Sequence, residues 1–357
     1  MSQFEHVLPG EKGETGWFYR QNPFEQEVIK RQVSFKRTHW PGLSDGRDAN
    51  NPTHSYCHIL PAGCEYLSIY KSIAIDLFSY LSKENIKIHS GVRNLKSSQA
   101  ACFNILYPMK QNLVLAKSAF NHYLPNVESI DNIEFEYTGP SDITEWLGEP
   151  TKGMRGQNRT SIDAAIFWTD KDNKRNISLV EWKYTERNFG SCSMYSSKQH
   201  RIACDQVNLS SGENPALICP LSIEREGNSR RYWEHMKTSG ISLDKLSVVS
   251  GCPFRTPLYQ IMRQCILAAY LRENHVADFV EVLLISFAGN TALLEVPPDL
   301  EPLVSSENDN IITLWNRILL KALPVRQVTV EQIMQQLDSE GRYDQEWREY
   351  LEDRYGV

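Results

Sequence analysis

Two strand-like segments of this 357-residue chain carry charged residues where buried strands rarely have them. Asp163 lies in the apolar segment Ile162–Thr169, and Glu181 and Lys183 lie in the apolar segment Ile177–Tyr184. Both segments are rich in branched, aromatic and other apolar side chains, which favours β-strands. The two carboxylates and the ammonium of these residues are therefore candidates for a catalytic or metal-binding site.

The spacing predicts that these three groups meet. Charged and amide residues fill Asp170–Asn176 between the segments, which predicts a hairpin loop. Side chains alternate along a strand, so Glu181 and Lys183 share one face and Trp182 points to the other. If the hairpin turns at the middle of the loop, Asp163 falls opposite the Glu181–Lys183 segment. A register slip of one residue would place it on the wrong face.

Such a patch suits a hard divalent cation. Mg²⁺ binds through one or two carboxylates and keeps several waters, which leaves room for phosphate oxygens. A metal beside an ammonium activates water and stabilises negative charge on a phosphorus-centred transition state. The pattern therefore indicates phosphodiester hydrolysis. The alternative is that the three residues are ordinary solvated groups on the exposed face of a hairpin.

The order of these residues resembles the PD-(D/E)xK nuclease superfamily. Asp163 is followed by a hairpin and then by Glu181-Trp182-Lys183, although Ile162 stands where many members have proline. The resemblance implies that Asp163, Glu181 and Lys183 are catalytic. It also implies that Asp163, Glu181 and the main-chain carbonyl of Trp182 bind one or two Mg²⁺ or Mn²⁺ ions.

Supporting residues come from neighbouring segments. The run Tyr184-Thr185-Glu186 after the motif is similar to bacterial restriction-like members of the superfamily, as are an "SSQ…N" helix at Ser97–Tyr107 and a "YQ…R" helix at Pro257–Asn274. The supporting residues predicted in this way, together with one acid from the strand Ile133–Tyr137, are Gln99, Glu136, Glu186, Gln260 and Arg263. Structural alternatives remain open for them, such as helix capping for Gln99 and an exposed edge for Glu136.

The predicted fold is α/β, with a restriction-endonuclease-like core in which a mixed β-sheet is flanked by helices in the order αβββαβ. We expect an irregular N-terminal arm and a helix over residues 1–94, the nuclease core over 95–290, and a helical C-terminal appendage over 291–357, all packed as one compact unit. The strands Ile133–Tyr137 and Phe279–Phe287 complete the predicted sheet.

The net charge of −6 argues against a protein coated in positive charge, but it leaves room for a local basic cleft. For each basic cluster, the alternative to a DNA contact is an ordinary surface exposed to solvent. The candidates for DNA binding are Arg155, Arg159, Lys174, Arg175, Arg230 and Arg231, and Trp233 is a further candidate beside the last two.

Eight cysteines at irregular spacing are typical of reduced thiols. Some nucleases of the superfamily carry a four-cysteine iron–sulfur cluster, and the segment Asn188–Pro257 contains Cys192, Cys204, Cys219 and Cys252. Their spacings are long and no CxxC pair occurs among them. From spacing alone, an iron–sulfur cluster is not expected.

Together these features predict a metal-dependent DNA endonuclease, by resemblance one of bacterial restriction or anti-phage defence. The competing hypothesis is a catalytically inactive module of the same fold that binds nucleic acid or a partner protein. The expected partners are DNA and either a second copy of the chain or a protein of the defence system. No secretory signal or long apolar run is present, so a cytoplasmic location without membrane contact is expected.

Overall fold

The computed structural model describes residues 18–48, 53, 55–140, 143–151, 159–223, 229–320 and 324–357. Its centre is a mixed five-stranded sheet with helices on both faces, which confirms the predicted α/β class. The strands are β1 (Gly46–Arg47), β2 (Ser55–Tyr56), β3 (Val127–Tyr137), β4 (Ile162–Asp170), β5 (Arg175–Lys183), β6 (Phe279–Ser286) and β7 (Val325–Thr329).

The helices follow the chain on both sides of this sheet. They are α1 (Pro23–His39), α2 (Lys71–Lys83), α3 (Ser98–Gln111), α4 (Leu113–Phe120), α5 (Ile143–Trp146), α6 (Lys198–Asp205), α7 (Tyr232–Ser239), α8 (Leu243–Leu246), α9 (Leu258–Glu273), α10 (Ile311–Ile318), α11 (Val330–Glu340) and α12 (Gln345–Tyr355). The strand order is β3-β4-β5-β6-β7, in which β3, β4 and β5 pair antiparallel and β5, β6 and β7 pair parallel. Strands β1 and β2 form a separate small sheet.

The hairpin between β4 and β5 fixes the register on which the site depends. Asn173 adopts a left-handed conformation with φ of 60°, which asparagine tolerates better than most residues. The Asp170 carboxylate accepts hydrogen bonds from the main-chain N–H groups of Asp172 and Lys174, each at 2.9 Å. As a result Ala164 pairs with Val180, the register expected for a hairpin that turns at the middle of its loop.

The two faces of the sheet pack against different helices. One face, which includes Trp182 of β5, packs on a layer formed by α2, α3, α4, α11 and α12. The other face, which includes Ile177 and Leu179 of β5, packs on α7, α9 and α10. Glu181 and Lys183 continue the alternation of Ile177 and Leu179, so both project toward the α9 layer.

The N-terminal region is more regular than expected, because α1 extends over 17 residues of the predicted irregular arm. The side chain of Asn22 caps the helix by accepting from the Glu25 N–H at 2.7 Å, and Pro23 occupies its first turn. Gln32 of α1 then donates to the Tyr184 hydroxyl at 3.0 Å and to the Arg354 carbonyl at 2.8 Å. Helix α1 therefore joins the end of β5 to the C-terminus.

The prediction of a helical C-terminal appendage was wrong in one respect, because this segment also contains a strand. Val325–Thr329 forms β7 and extends the sheet beyond β6. The buried Glu281 carboxylate on β6 accepts two hydrogen bonds from the Arg326 guanidinium on β7, at 2.6 and 2.8 Å. Pairing of a buried acid with a planar guanidinium stabilises this contact, and its partner residues lie 45 positions apart in the sequence.

Trp233, a candidate for nucleic-acid contact, is buried instead. It belongs to α7, is 5% exposed, and packs edge to face on Phe254 with ring centroids 5.3 Å apart. An indole in this position stabilises the core and is not free to stack on a base. None of the helices in the described ranges combines the length and apolarity that crossing a bilayer requires.

A fully buried guanidinium ties α12 to the rest of the chain. Arg354 is 0% exposed and donates to the main-chain carbonyl of Ser68 at 2.6 Å and to the Tyr350 hydroxyl. Its guanidinium also lies 5.1 Å from the centre of the Tyr355 ring. This arrangement holds the C-terminal helix against the layer behind Tyr184.

We predict that Arg354→Ala lowers the free energy of unfolding by about 3 kcal/mol, because it leaves buried acceptors without a donor. Denaturant unfolding of the full chain measures this change. The exposed Arg342 provides the matched control, and Arg342→Ala should change stability by less than about 0.5 kcal/mol. Equal effects of the two substitutions would contradict the importance of the buried guanidinium.

Candidate active site

The ends of three strands meet at one edge of the sheet. Strand β3 ends at Tyr137, β4 begins at Ile162 and β5 ends at Lys183, so these ends lie side by side. A cavity of about 450 Å³ lies at this edge. Its lining is His89, Ser90, Gly91, Asn94, Ser97, Ser98, Gln99, Cys102, Phe103, Glu136, Asp163, Trp182, Lys183, Glu186 and Gln260.

Asp163 faces this cavity from the start of β4. Its Oδ2 accepts a hydrogen bond from the main-chain N–H of Trp182 at 2.8 Å. Among the residues that the structure describes, none donates a hydrogen bond to Oδ1. Burial and the neighbouring Glu181 carboxylate raise the pKa of Asp163 well above its usual value, although Lys183 opposes this shift. A cation beside Asp163 would relieve the cost of its negative charge.

Glu181 and Lys183 form a buried ion pair. The Lys183 Nζ lies 2.6 Å from Glu181 Oε1, and the two side chains are 9% and 1% exposed respectively. Burial raises the pKa of Glu181 against the opposing effect of the ammonium. Burial alone would lower the pKa of Lys183, but Glu181, Glu186 and Asp163 outweigh it and raise that pKa above its usual value. Lys183 therefore remains protonated at neutral pH.

Helix α9 completes the hydrogen bonding of this pair. The amide of Gln260 donates to Glu181 Oε1 at 2.6 Å, and Gln264 donates to Oε2. The carbonyl of the Gln260 side chain accepts from Lys183 Nζ at 3.2 Å and from the Gly190 N–H at 2.8 Å. Gln260 thus orients the Glu181 carboxylate, the Lys183 ammonium and the segment that follows β5.

Glu136 is placed in the cavity by a break in β3. Its φ is 48°, and the regular alternation expected for Ile133–Tyr137 ends there, so Tyr137 packs in a different core layer from Phe135. The Glu136 carboxylate accepts from Ser161 Oγ at 2.6 Å and from the Gln99 amide at 3.1 Å. Glu136 is 5% exposed, so the expected alternative of an exposed edge was wrong.

Glu186 reaches the cavity because the chain turns back after β5. Its carboxylate accepts from the Tyr184 N–H at 2.8 Å. Asn290 holds the same turn by donating to the carbonyls of Tyr184 and Glu186, at 3.0 and 2.8 Å. These hydrogen bonds hold the segment Tyr184-Thr185-Glu186 in place directly after Lys183.

Arg263 occupies a separate polar cluster. Its Nε donates to Thr160 Oγ1 at 3.1 Å, and its guanidinium lies 3.7 Å from Glu149. The Tyr232 hydroxyl donates to the same Glu149 carboxylate at 2.5 Å. Arg263 does not line the cavity that contains Asp163. Its predicted supporting role stays a prediction, and the contacts it makes are those of a structural residue.

The predicted DNA contacts are scattered over the molecule. Arg175 begins β5 and Lys174 precedes it, so they lie eight and nine residues from Lys183, about 25 Å or more along an extended strand. Arg230 donates to the carbonyl of Gly148 at 3.0 Å, and its neighbour Arg231 begins α7. Arg159 is half-buried just before β4, and Arg155 lies outside the described residues. The hairpin pair is therefore too distant to act with Asp163 on one phosphate.

Sequence reasoning missed several residues that shape the site. Gln264 follows Gln260 by four positions on α9, so helical spacing alone indicates that both face Glu181. Asn290 and Ser161 left no such signal, because the chain turns that carry them are irregular. Trp182 lines the cavity, and Ser98 Oγ at the start of α3 donates to its carbonyl at 3.4 Å.

The donor set fits a hard divalent cation that keeps part of its water shell. The carboxylates of Glu136, Asp163 and Glu186 line the cavity together with Lys183, and Glu181, which does not line the cavity, pairs with the Lys183 ammonium. Within the described ranges, no group of three or more His, Cys, Asp and Glu side chains could hold a metal ion. Mg²⁺ commonly binds through one or two carboxylates and keeps several waters, which a site with these carboxylates allows.

A family model described as REase-ARP, "Restriction Endonuclease associating with ARP", matches residues 30–356 of the chain. The match covers both layers of helices as well as the sheet. No curated protein and no solved structure matches the chain.

We predict that Asp163→Asn stabilises the metal-free protein near neutral pH. The pKa of Asp163 is raised in the folded state, so folding disfavours its charged form above the unfolded pKa. The advantage of the variant should therefore shrink as the pH falls and disappear below 3.8, the usual pKa of aspartate, because both states then become protonated. Thermal unfolding at a series of pH values in EDTA measures the difference.

The exposed Asp172 in the hairpin loop serves as the control for this substitution. Asp172→Asn removes the same charge without changing the cavity, and it should leave the stability almost unchanged across the series. If Asp163→Asn were no more stable than the wild type at neutral pH, the Asp163 carboxylate would not be in an unfavourable electrostatic environment.

Proposed function

The chain belongs to the family of restriction endonucleases associating with ARP, and from this premise we propose that it is a metal-dependent DNA endonuclease of the PD-(D/E)xK type. Membership indicates a nuclease role. The observation that supports the finer proposal is that Asp163 and Lys183 line one cavity at the edge of the sheet, while Glu181, which does not line the cavity, pairs with Lys183. The order of α3, β3, β4, β5, α9 and β6 along the chain agrees with it.

In this proposal Asp163, Glu181 and the Trp182 carbonyl hold one or two Mg²⁺ or Mn²⁺ ions. A bound ion of this kind supplies an activated water and neutralises charge on the phosphoryl oxygens. Binding requires that Glu181 exchange hydrogen bonds with Lys183 and Gln260 for the cation. Such exchange is favourable because several carboxylates lie near one another in a site of low solvent access.

Lys183 acts as a fixed positive charge. Its raised pKa keeps the ammonium protonated, so it can orient the attacking water and stabilise charge on the phosphate, but it cannot accept a proton. Gln260 positions Lys183 through their 3.2 Å hydrogen bond. The first turn of α3, with Ser97 and Ser98, lines the opposite wall and offers the positive end of a helix dipole to a phosphate group.

We further propose that the substrate is duplex DNA, that the setting is bacterial defence, and that ARP is the partner protein named in the family description. Gln99, Glu136 and Glu186 are proposed to support the site because each lines its cavity. The proposed location is the cytoplasm. The basic residues Arg159, Arg230 and Arg231 remain proposed DNA contacts.

One observation favours a second candidate, a non-catalytic module that binds nucleic acid or a partner. Both oxygens of Glu181 already accept hydrogen bonds from Lys183, Gln260 and Gln264. A site saturated in this way would bind no metal. Calorimetric titration of Mn²⁺ into the wild type and into Glu181→Ala separates the two candidates, because only the enzyme should show binding that the substitution removes.

We predict that Asp163→Ala and Lys183→Ala each lower Mg²⁺-dependent DNA cleavage by about 100-fold or more, because the first removes a proposed metal ligand and the second removes a positive charge beside the reacting phosphate. The assay incubates the purified full chain with supercoiled plasmid, linear duplex and single-stranded DNA. Lys83→Ala, at an exposed lysine of α2, is the control and should cleave like the wild type. Cleavage retained by a folded Lys183→Ala protein would refute the assignment.

A further inference from the structure

A groove of about 760 Å³ lies where the end of α1, the start of α2 and one face of α12 come together. Most of its lining residues are aromatic or aliphatic. None of them lines the cavity that contains Asp163. The groove is therefore separate from the candidate active site, and the proposed cleavage chemistry gives it no role.

Helix α2 presents apolar side chains to this groove as well as to the core. The residues that face the core are Ile73, Leu77 and Leu81. Ala74, Ile75 and Phe78 line the groove, and Phe78 follows the other two by four and three residues, so the three share one side of the helix. Ile75 is 86% exposed, the largest exposed fraction among the large apolar side chains that the structure describes. Clustered apolar surface of this kind indicates a binding site.

The floor of the groove is an aromatic surface that is already in place. The Tyr350 ring of α12 lies 5.7 Å from the Phe35 ring and 4.8 Å from the Tyr70 ring, measured between ring centres. The Tyr350 hydroxyl accepts a hydrogen bond from the buried Arg354 guanidinium. Since these rings are fixed by contacts within the chain, a partner that covers them loses little free energy to their ordering.

The rim of the groove is acidic. Helix α12 lines it with three carboxylates at helical spacing, those of Glu346, Glu349 and Asp353. Lys71 Nζ lies 2.6 Å from Glu346, and His39 Nε2 lies 2.5 Å from Asp353, with all four side chains between 43% and 78% exposed. Three acids thus face one lysine and one histidine. Exposed charges of this kind attract an oppositely charged macromolecule, whereas a small ligand is oriented by polar groups inside its pocket.

We propose that this groove binds a basic amphipathic helix of a partner protein. Its apolar side chains contact Ile75, Phe78 and the aromatic floor, and its lysines and arginines pair with the carboxylates of α12. Glu346 and Asp353 lie seven residues apart, about 10 Å along their helix, which matches two turns of a bound helix. Helices recognised in this way place apolar anchors three, four and seven residues apart. A protein partner is also what the family description names.

The test measures the fluorescence anisotropy of two labelled designed peptides of about 18 residues, long enough to form a helix, as the full chain is added without DNA. Both carry leucine at positions i, i+3, i+4 and i+7; one has lysine and the other glutamate on the opposite face. The basic peptide should bind saturably, and the acidic peptide at least about tenfold more weakly. Ile75→Asn should weaken binding of the basic peptide at least about tenfold, because an apolar contact is lost.

Reversing one charge of the rim tests the electrostatic part of the proposal. Glu349→Lys should weaken binding of the basic peptide and strengthen binding of the acidic peptide, each at least about threefold. Glu213→Lys, at an exposed residue outside the groove, makes the same charge change and is the control. It should leave the affinity for both peptides almost unchanged.

Ile202→Asn is the matched control for Ile75→Asn, because Ile202 is a 63% exposed isoleucine of α6 outside the groove. Circular dichroism establishes that all variants are folded. Three outcomes would overturn the proposal: no saturable binding of the basic peptide, equal effects of the two isoleucine substitutions, or a dimeric wild type that Ile75→Asn converts into monomers in sedimentation, which would assign the groove to a second copy. Because DNA cleavage is not measured, none of these outcomes bears on the nuclease assignment.

Discussion

The main constraint on the structure is that β5, a strand buried on both faces, ends in charged residues. Strand β5 is covered by helices on each side, yet its last three residues include Glu181 and Lys183. Asp163 lies beside them on β4. Burying these groups is unfavourable unless each is paired or hydrogen-bonded. The surrounding elements supply those partners: Gln260 and Gln264 come from α9, and the Trp182 N–H comes from the strand itself.

The excess of carboxylates over positive charges at this edge of the sheet indicates a functional site. Hydrogen bonds satisfy Glu181 and Glu136, but one ammonium cannot balance four neighbouring acids. Burial, and after it the neighbouring Glu181 carboxylate, raise the pKa of Asp163. A purely structural network would be expected to pair its charges more evenly, and departures of this kind are concentrated at functional sites. The same reasoning explains why the cavity lies at the open end of the strands and not within the sheet.

Sequence patterns predicted the parts of the fold that local physics determines. The hairpin register and the strands β4, β5 and β6 followed from alternation and turn residues, and helix α9 followed from apolar periodicity. Helix α1 was missed although Asn22 and Pro23 signal its start. Strand β7 could not be predicted from its five residues, because its place in the sheet depends on Arg326 meeting Glu281 far away in sequence.

Crystals of the full chain soaked in Mn²⁺, with diffraction recorded at the manganese absorption edge, test the central claim most directly. The account predicts an anomalous peak about 2.1 Å from an Asp163 oxygen, bound also by Glu181 and the Trp182 carbonyl, with the hydrogen bonds of Glu181 rearranged. A well-ordered crystal without a peak at these residues, or with manganese bound only elsewhere, would contradict it.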